Sequence, residues 1–380
     1  MTKKSSYNLA LFNAAVRGLE MMLIFFLAIH FKNIGLSGME IGVIFACNTI
    51  ASIMTIVPSG FSNDKLKSKY LITFSLILLT IQYIGLTQLH SLIPISIIMF
   101  IGGIGITFYK ASAQSLFYKS ANNEQIIKKI GLFQGVSYLT MGIGTIFAGL
   151  LLETNFSFPQ LFKLIGLGFG LLAAIGLFIL PENKVTKFSL LEYKSDLLNK
   201  NVLIFMSIVF LFAIHLGAEA TSYGLFLKQY LNLSHSMVGF YMGISILSMA
   251  LTTALLSTKL KALCSKKLLA AGVLISGIGA ILMTIRSFET SLLFRIVHEF
   301  GDATTFFIIY LLVSKMFKLG RIGGSGGVIA FITIIASTIG ALILSPLGEA
   351  HGYNWPFIIS GITTIIAILP IIPLTIPKKV

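Results

Sequence analysis

The sequence predicts an all-α membrane protein of twelve transmembrane helices, built as two pseudo-symmetric six-helix halves. Three observations carry this. Hydrophobic residues make up 56% of the 380 and charged residues only 11%, with a mean hydropathy of +0.93; a soluble domain carries about a quarter charged residues. Apolar runs recur at about 20 residues, the thickness of a bilayer core. They are too long and too uniform for the alternating strands of a membrane barrel. Finally, 21 of the 28 Lys and Arg fall in termini and loops of one parity, which is the positive-inside pattern.

Taken in order, the spans are predicted near residues 7–31, 38–62, 70–88, 92–118, 130–152 and 159–180. Six more follow near 201–229, 235–257, 267–286, 290–315, 322–347 and 354–376. Lys3 and Lys4 open the chain. The inside loops then carry Lys65, Lys67 and Lys69; Lys119, Lys128 and Lys129; Lys184, Lys187, Lys194 and Lys200; Lys259, Lys261, Lys266 and Lys267; Lys315, Lys318 and Arg321; Lys378 and Lys379 end it. Outside loops 87–91 and 154–158 carry no Lys or Arg. Twelve spans with both termini cytoplasmic satisfy this distribution, and the expected location is the cytoplasmic membrane. The net charge of +15 is then an orientation signal and a contact with anionic lipid head groups, and no nucleic-acid partner is expected. The first span holds Arg17 and Glu20 and lacks a small-residue cleavage site, so it is expected to be retained. Cys47 in a span and Cys264 in a loop make neither a disulfide nor a metal motif. Tyr353 and Trp355 suit an outer interfacial anchor.

Residues 181–200 are the longest polar stretch. They divide the chain into an N-terminal half (1–180), a cytoplasmic connector (181–200) and a C-terminal half (201–380). The halves repeat each other. Ser37-Gly-Met-Glu-Ile-Gly42 aligns with Ser234-His-Ser-Met-Val-Gly239, and Gly18-Leu-Glu20 aligns with Gly217-Ala-Glu219 after a two-residue shift. Such a repeat is a transporter signature, with a substrate site near the midplane between halves.

Between the second and third spans the chain reads Gly60-Phe-Ser-Asn-Asp64-Lys65-Leu-Lys-Ser-Lys69. This resembles the loop signature of the major facilitator superfamily, with Gly60, Asp64, Lys65 and Lys69 matching. Lys67 stands where that family has Gly, and Ser68 where it has a basic residue. The resemblance implies an inner gate, in which the Asp meets the N-terminus of span 11 when the carrier is closed to the inside. Span 11 begins at Arg321-Ile-Gly-Gly-Ser-Gly-Gly327, where free N–H groups and bare backbone suit a carboxylate. The second-half loop Ser257-Thr-Lys-Leu-Lys261 lacks the Asp, so the contact is expected on one side only. Gly135 and Gly144 have the spacing of the family's antiporter motif, but Ala148-Gly149 and Leu152-Glu153 replace its Gly-Pro and Gly pair. Ile98 stands where drug–proton antiporters carry Arg.

Ionisable groups at membrane depth are costly and face one another or a water-filled cavity. Here they are Arg17 and Glu20 in span 1, Lys110 in span 4, Glu219 in span 7, and Arg295, His298, Glu299 and Asp302 in span 10, with His215 as a weaker member. The family resemblance implies that spans 1, 4, 7 and 10 line a central cavity. The positions are similar to those of proton-driven peptide carriers of that superfamily, although Arg17-Gly-Leu-Glu20 reverses their span 1 order. Glu299 and Asp302, flanked by Arg295, suit proton carriage with His298 as relay; Glu20 and Glu219 are alternatives. Arg17, Arg295 and Lys110 suit a substrate carboxylate or phosphate. Charges that merely pair to hold helices together are the bland reading. Tyr109, Gln134 and Tyr138 are cavity donors or core. His298-Glu-Phe-Gly-Asp302 lacks the second histidine of a zinc motif, so no metal and no cofactor is expected.

The expectation is a monomeric secondary transporter, not an enzyme. It moves a small polar solute, anionic or zwitterionic, coupled to a proton or another ion. Efflux of amphipathic compounds is the alternative within the class. A membrane-embedded enzyme or a non-transporting sensor is the alternative outside it, but no nucleophile elbow, metal triad or long loop speaks for either.

Overall fold

The structure, a computed structural model, describes residues 3–120, 126–154, 156–182, 190–259 and 265–376. Lys184, Lys187, Lys261, Cys264, Lys378 and Lys379 lie outside the described residues. Span 1 is made of two helices, α1 (Lys3–Met21) and α2 (Leu27–Asn33). Spans 2 to 6 are α3 (Gly38–Lys65), α4 (Ser68–Leu86), α5 (Leu92–Ser120), α6 (Ile126–Glu153) and α7 (Phe158–Ile179). A short helix, α8 (Leu190–Leu197), lies in the connector. Spans 7 to 11 are α9 (Lys200–Leu225, continued by a π-helical turn, Phe226–Tyr230), α10 (His235–Lys259), α11 (Ser265–Leu282), α12 (Phe288–Met316) and α13 (Ile322–His351). Span 12 is α14 (Trp355–Ile366) with α15 (Ile368–Ile371). Among the described residues nine helices are long and apolar enough to cross a membrane; the other three spans are 1, 9 and 12. Among the described residues there is no strand.

Polar residues just outside the apolar runs set where the spans begin. Ser37 accepts from the Glu40 N–H at 3.3 Å while the Glu40 carboxylate accepts from the Ser37 N–H at 2.8 Å, a capping box. Ser234, its partner in the repeat, accepts from the Met237 N–H at 3.2 Å. Ser157 with Gln160 caps span 6, Asn199 caps span 7 and Ser287 caps span 10. Gly35 and Gly352 follow helix ends with φ of +92° and +107°, where a side chain would strain the backbone. The first helix of span 12, α14, stops at Ile366 because Pro370 has no N–H and its ring clashes with the carbonyl four residues earlier.

Span 1 is broken where one continuous helix is predicted. Residues 22–26 (Met-Leu-Ile-Phe-Phe) form turns, with the Phe26 N–H bonding the Leu23 carbonyl at 2.9 Å. Neither Pro nor Gly marks the break. Leu23 and Phe26 are buried there, and His30 packs on Phe158 and Phe162 of span 6. Tertiary packing overrides local propensity.

Lipid offers no hydrophobic drive between helices, so close backbone contact through small residues matters more. Span 5 packs on span 8 and span 2 on span 11. A Cβ on Gly239 would lie 3.1 Å from the Gly149 Cα. Gly144 faces the Gly18 carbonyl of span 1 and Gly135 faces Thr253 of span 8, so both glycines of the antiporter-like spacing serve helix contacts. Large apolar side chains such as Ile93, Phe178 and Leu342 point outward and exposed, as a lipid-facing surface requires.

Candidate functional site

At the lysine-rich face, spans 2 and 11 meet through glycine. A Cβ on Gly60 would lie 2.7 Å from the Gly323 carbonyl and 3.1 Å from the Gly327 Cα. This contact delivers Asp64, on the last turn of span 2, to the first turn of span 11. The buried carboxylate accepts from the N–H groups of Gly323 (3.2 Å) and Gly324 (2.7 Å). It also meets the Lys119 ammonium at 2.8 Å and the Tyr193 hydroxyl at 2.8 Å. Burial beside this carboxylate pushes the Tyr193 hydroxyl up, so it stays a donor. Tyr193 lies on α8, as does Asp196, which accepts from the Arg321 guanidinium at 2.7 and 2.8 Å. The connector therefore carries a helix that touches both sides of this contact. Lys67 and Lys69 turn the other way and bond Glu182 at 2.6 and 2.7 Å. Hydrogen bonds from Lys67 and then Lys69 pull the Glu182 carboxyl down to about 2.

Deeper in the membrane the charges form two clusters. In the first, Glu20 pairs with Arg17 one turn earlier and with Lys110 of span 4 at 3.0 Å. Asn13, one turn before Arg17, accepts from the Tyr109 hydroxyl and donates to Ser137 of span 5, both at 2.7 Å. Lys110 is half exposed and lines a pocket with Gln114 and Ser115, whose far wall is Gly323, Gly326 and Gly327 of span 11.

The second cluster joins spans 7, 9 and 10. Arg295 pairs with Glu219 and, at 2.5 Å, with Glu299 one turn on, and its guanidinium lies 4.5 Å from the Tyr223 ring centre. His298 Nε2 faces Glu219 at 3.1 Å, and His215 Nε2 faces Asp302 at 3.1 Å. Ser276 of span 9 donates to Asp302 at 2.6 Å, and its carbonyl meets His298 Nδ1 at 2.8 Å. Glycines set these helix rotations. A Cβ on Gly279 would lie 2.6 Å from the His298 Cα, and Gly301 abuts the Ser276 backbone, so spans 9 and 10 touch at main-chain distance. On the far side of span 7, Gly217 and Gly340 bring spans 7 and 11 together in the same way. That turns His215 and Glu219 toward span 10.

The profile of the Major Facilitator Superfamily matches residues 9–263 and 205–380. The chain belongs to that superfamily. No curated protein matches it. Among solved structures, the human organic anion transporter MFSD10 (TETRAN) is similar with a TM-score of 0.76, covering 98% of this chain and 100% of that one at 13% identity. At that identity the likeness concerns the fold. The all-helical architecture and the superfamily resemblance both stand, and the chain is a multi-pass membrane protein of a transporter superfamily.

In this superfamily member all eight predicted membrane-depth residues are paired: Arg17, Glu20 and Lys110 in one set, and Glu219, Arg295, His298, Glu299 and Asp302 in the other, with His298 and Asp302 in histidine–carboxylate contacts. The structure groups them by cluster rather than in one shared ring. His215, the weaker member of the reading, sits at the centre of the second set. The predicted gating residues also divide. Gly60 and Asp64 reach span 11, Lys65 is exposed, and Lys69 binds Glu182 instead. Sequence reasoning missed Asn13, Lys119, Tyr193, Asp196 and Ser276 as partners. The signal for Ser276 was present, as a polar residue between Gly272 and Gly279 in an apolar span. Asn13, Tyr193 and Asp196 gave none that spacing could read.

Proposed function

We propose that this protein is a secondary active transporter that moves a small polar solute, anionic or zwitterionic, across the cytoplasmic membrane by alternating access with proton coupling. The observation that carries the reading is the double charge cluster. Each cation at membrane depth is held by a carboxylate from its own cluster: Arg17 and Lys110 by Glu20, Arg295 by Glu219 and Glu299. A substrate carboxylate or phosphate exchanges for one of those partners at little cost, because the cation is already paired. The displaced carboxylate, left in low dielectric, takes a proton, and this links solute to proton. Glu20 and Glu299 are the carboxylates placed for that step, and Asp302 with His298 offers a second route. The solute class rests on these cations and not on the likeness to the organic anion transporter.

Residues 1–180 and 201–380 act as the rocking halves, with 181–200 between them. The lysine-rich face is the cytoplasmic one, with both termini there. Asp64 on the N-terminus of span 11 supports reading the contact as the inner gate in its closed position.

The test is flux in proteoliposomes across a panel of organic acids, zwitterions and neutral solutes with an imposed pH gradient. Wild type runs beside Glu20→Gln, Glu299→Gln and Asp302→Asn. Gradient-driven flux of an anionic or zwitterionic solute, lost in Glu20→Gln or Glu299→Gln while solute exchange persists, supports the proposal. Gradient-driven flux unchanged in all three variants overturns the coupling step. Flux confined to neutral or cationic solutes overturns the substrate class.

A further inference from the structure

Two helices of the second cluster carry the same short pattern. Span 7 has His215 and Glu219 four residues apart, and span 10 has His298 and Asp302 four residues apart. Four residues is about one helical turn, so each histidine stands on the same face as its acid. The second histidine that span 10 lacks is supplied by span 7. One ligand atom from each of the four side chains falls within 4.8 Å of the others. Three edges are 3.1 Å (His215 Nε2 to Asp302), 3.1 Å (His298 Nε2 to Glu219) and 3.6 Å (His298 Nε2 to Asp302). A tetrahedron with metal–ligand bonds of 2.0–2.1 Å has edges of about 3.3 Å.

A second observation concerns the outward side of each ring. His298 Nδ1 points at the Ser276 carbonyl at 2.8 Å, and His215 Nδ1 contacts the Phe212 carbonyl. A carbonyl only accepts, so each Nδ1 carries hydrogen and each neutral ring turns its Nε2 lone pair inward. Each Nε2 then faces carboxylate oxygens, a geometry satisfied by a proton on each ring or by one cation shared between the four groups. Main-chain carbonyls behind the rings, and Ser276 Oγ holding the other Asp302 oxygen at 2.6 Å, are the outer contacts that orient metal ligands. Charge agrees. With neutral rings, Arg295 against Glu219, Glu299 and Asp302 leaves two negative charges, which one divalent ion cancels. His215, His298 and Asp302 are almost fully buried, while Glu219 is partly exposed and forms the side open to entry. The Glu219 oxygen that faces His298, Oε1, is also the one that Arg295 holds, so an ion entering there shares it with the guanidinium.

We propose that His215, Glu219, His298 and Asp302 bind one divalent first-row transition-metal ion, with Zn²⁺ the best match to a two-nitrogen, two-oxygen tetrahedral set. The assignment does not depend on which solute the protein carries.

The test uses the full chain in detergent, without a histidine tag, stripped by chelator and titrated with Co²⁺, then with Zn²⁺ as competitor. The expected result is one Co²⁺ per chain with the visible absorption of a four-coordinate ion, displaced by Zn²⁺. His215→Gln and His298→Gln each weaken binding by about 100-fold or more. His90→Gln with His351→Gln, which removes two histidines outside the cluster, leaves it intact. X-ray absorption on the Zn²⁺-loaded wild type gives an answer even where a variant fails to fold. Two imidazoles and two oxygens at about 2.0–2.1 Å support the site. No ion retained at micromolar metal, a six-oxygen shell, or binding that survives both cluster variants overturns it.

Discussion

Replacing Asp64 by Asn tests whether the contact between spans 2 and 11 governs the conformation. The substitution keeps the shape but exchanges one acceptor oxygen for an NH₂ group. One of the two glycine N–H donors of span 11 then faces a donor. Lys119, whose side chain is only 6% exposed, loses its counter-charge. Lys119 lies on span 4, in the same half as Asp64, and keeps its 2.6 Å bond to the Asn63 carbonyl, so losing that pair weighs on both conformations alike. The loss specific to one conformation is that of the charge-assisted bonds to the Gly323 and Gly324 N–H groups, which in the proposed cycle form only when the lysine-rich ends are together. At about 1.5–3 kcal/mol for each such bond, with Asn retaining part of the pair, about 3 kcal/mol applies. At 1.4 kcal/mol per tenfold it shifts the equilibrium about 100-fold, enough to turn a 99:1 population into a nearly even mixture. Pulsed spin-label distances between Leu66→Cys and Leu319→Cys, exposed positions on this face, read the populations once Cys47 and Cys264 are replaced by Ser. A second, longer distance of comparable weight is expected in Asp64→Asn. A single distance unchanged from the parent refutes the reasoning.

Three further outcomes are expected. Gly60→Val places side-chain carbon where a Cβ already lies 2.7 Å from the Gly323 carbonyl, so the same labels separate even with Asp64 intact. Glu182, held down to about 2 by Lys67 and Lys69 against an ordinary 4.5, contributes stability that is complete above its unfolded value and lost as pH falls toward 2. The melting difference between wild type and Glu182→Gln is therefore flat from pH 8 to 5 and vanishes below, and a difference that titrates near pH 7 contradicts the assignment. Gly279→Ala forces a Cβ against the His298 main chain and costs about 1–3 kcal/mol. The thermal unfolding midpoint drops, while Gly224→Ala, with open space around it, leaves it nearly unchanged.

Hydropathy and loop charge placed most spans within a few residues, because a bilayer admits little else between helix ends; span 12, predicted to residue 376, is helical only to Ile371. The same constraint made the charged residues conspicuous, and Arg17, Lys110, Glu219 and Arg295 stood out as misfits in apolar runs. What composition could not supply was pairing across helices. Glu20 meets Lys110 from 90 residues away, and His215 meets Asp302 across 87. Those distances depend on helix rotations set by glycines such as Gly217 and Gly301, whose packing role is invisible without their neighbours. The break in span 1 and the helix α8 were hidden for a related reason. Both are settled by tertiary contacts, Phe26 in one case and Tyr193 in the other, and not by local turn chemistry.

The placement of α8 has a mechanical consequence. Tyr193 and Asp196 are three residues apart on eight residues of helix, so they share a face and move as one body. One grips the end of span 2 and the other the approach to span 11. If the halves rock as proposed, the lysine-rich ends separate only when both of these bonds break, and a single rigid helix couples the two.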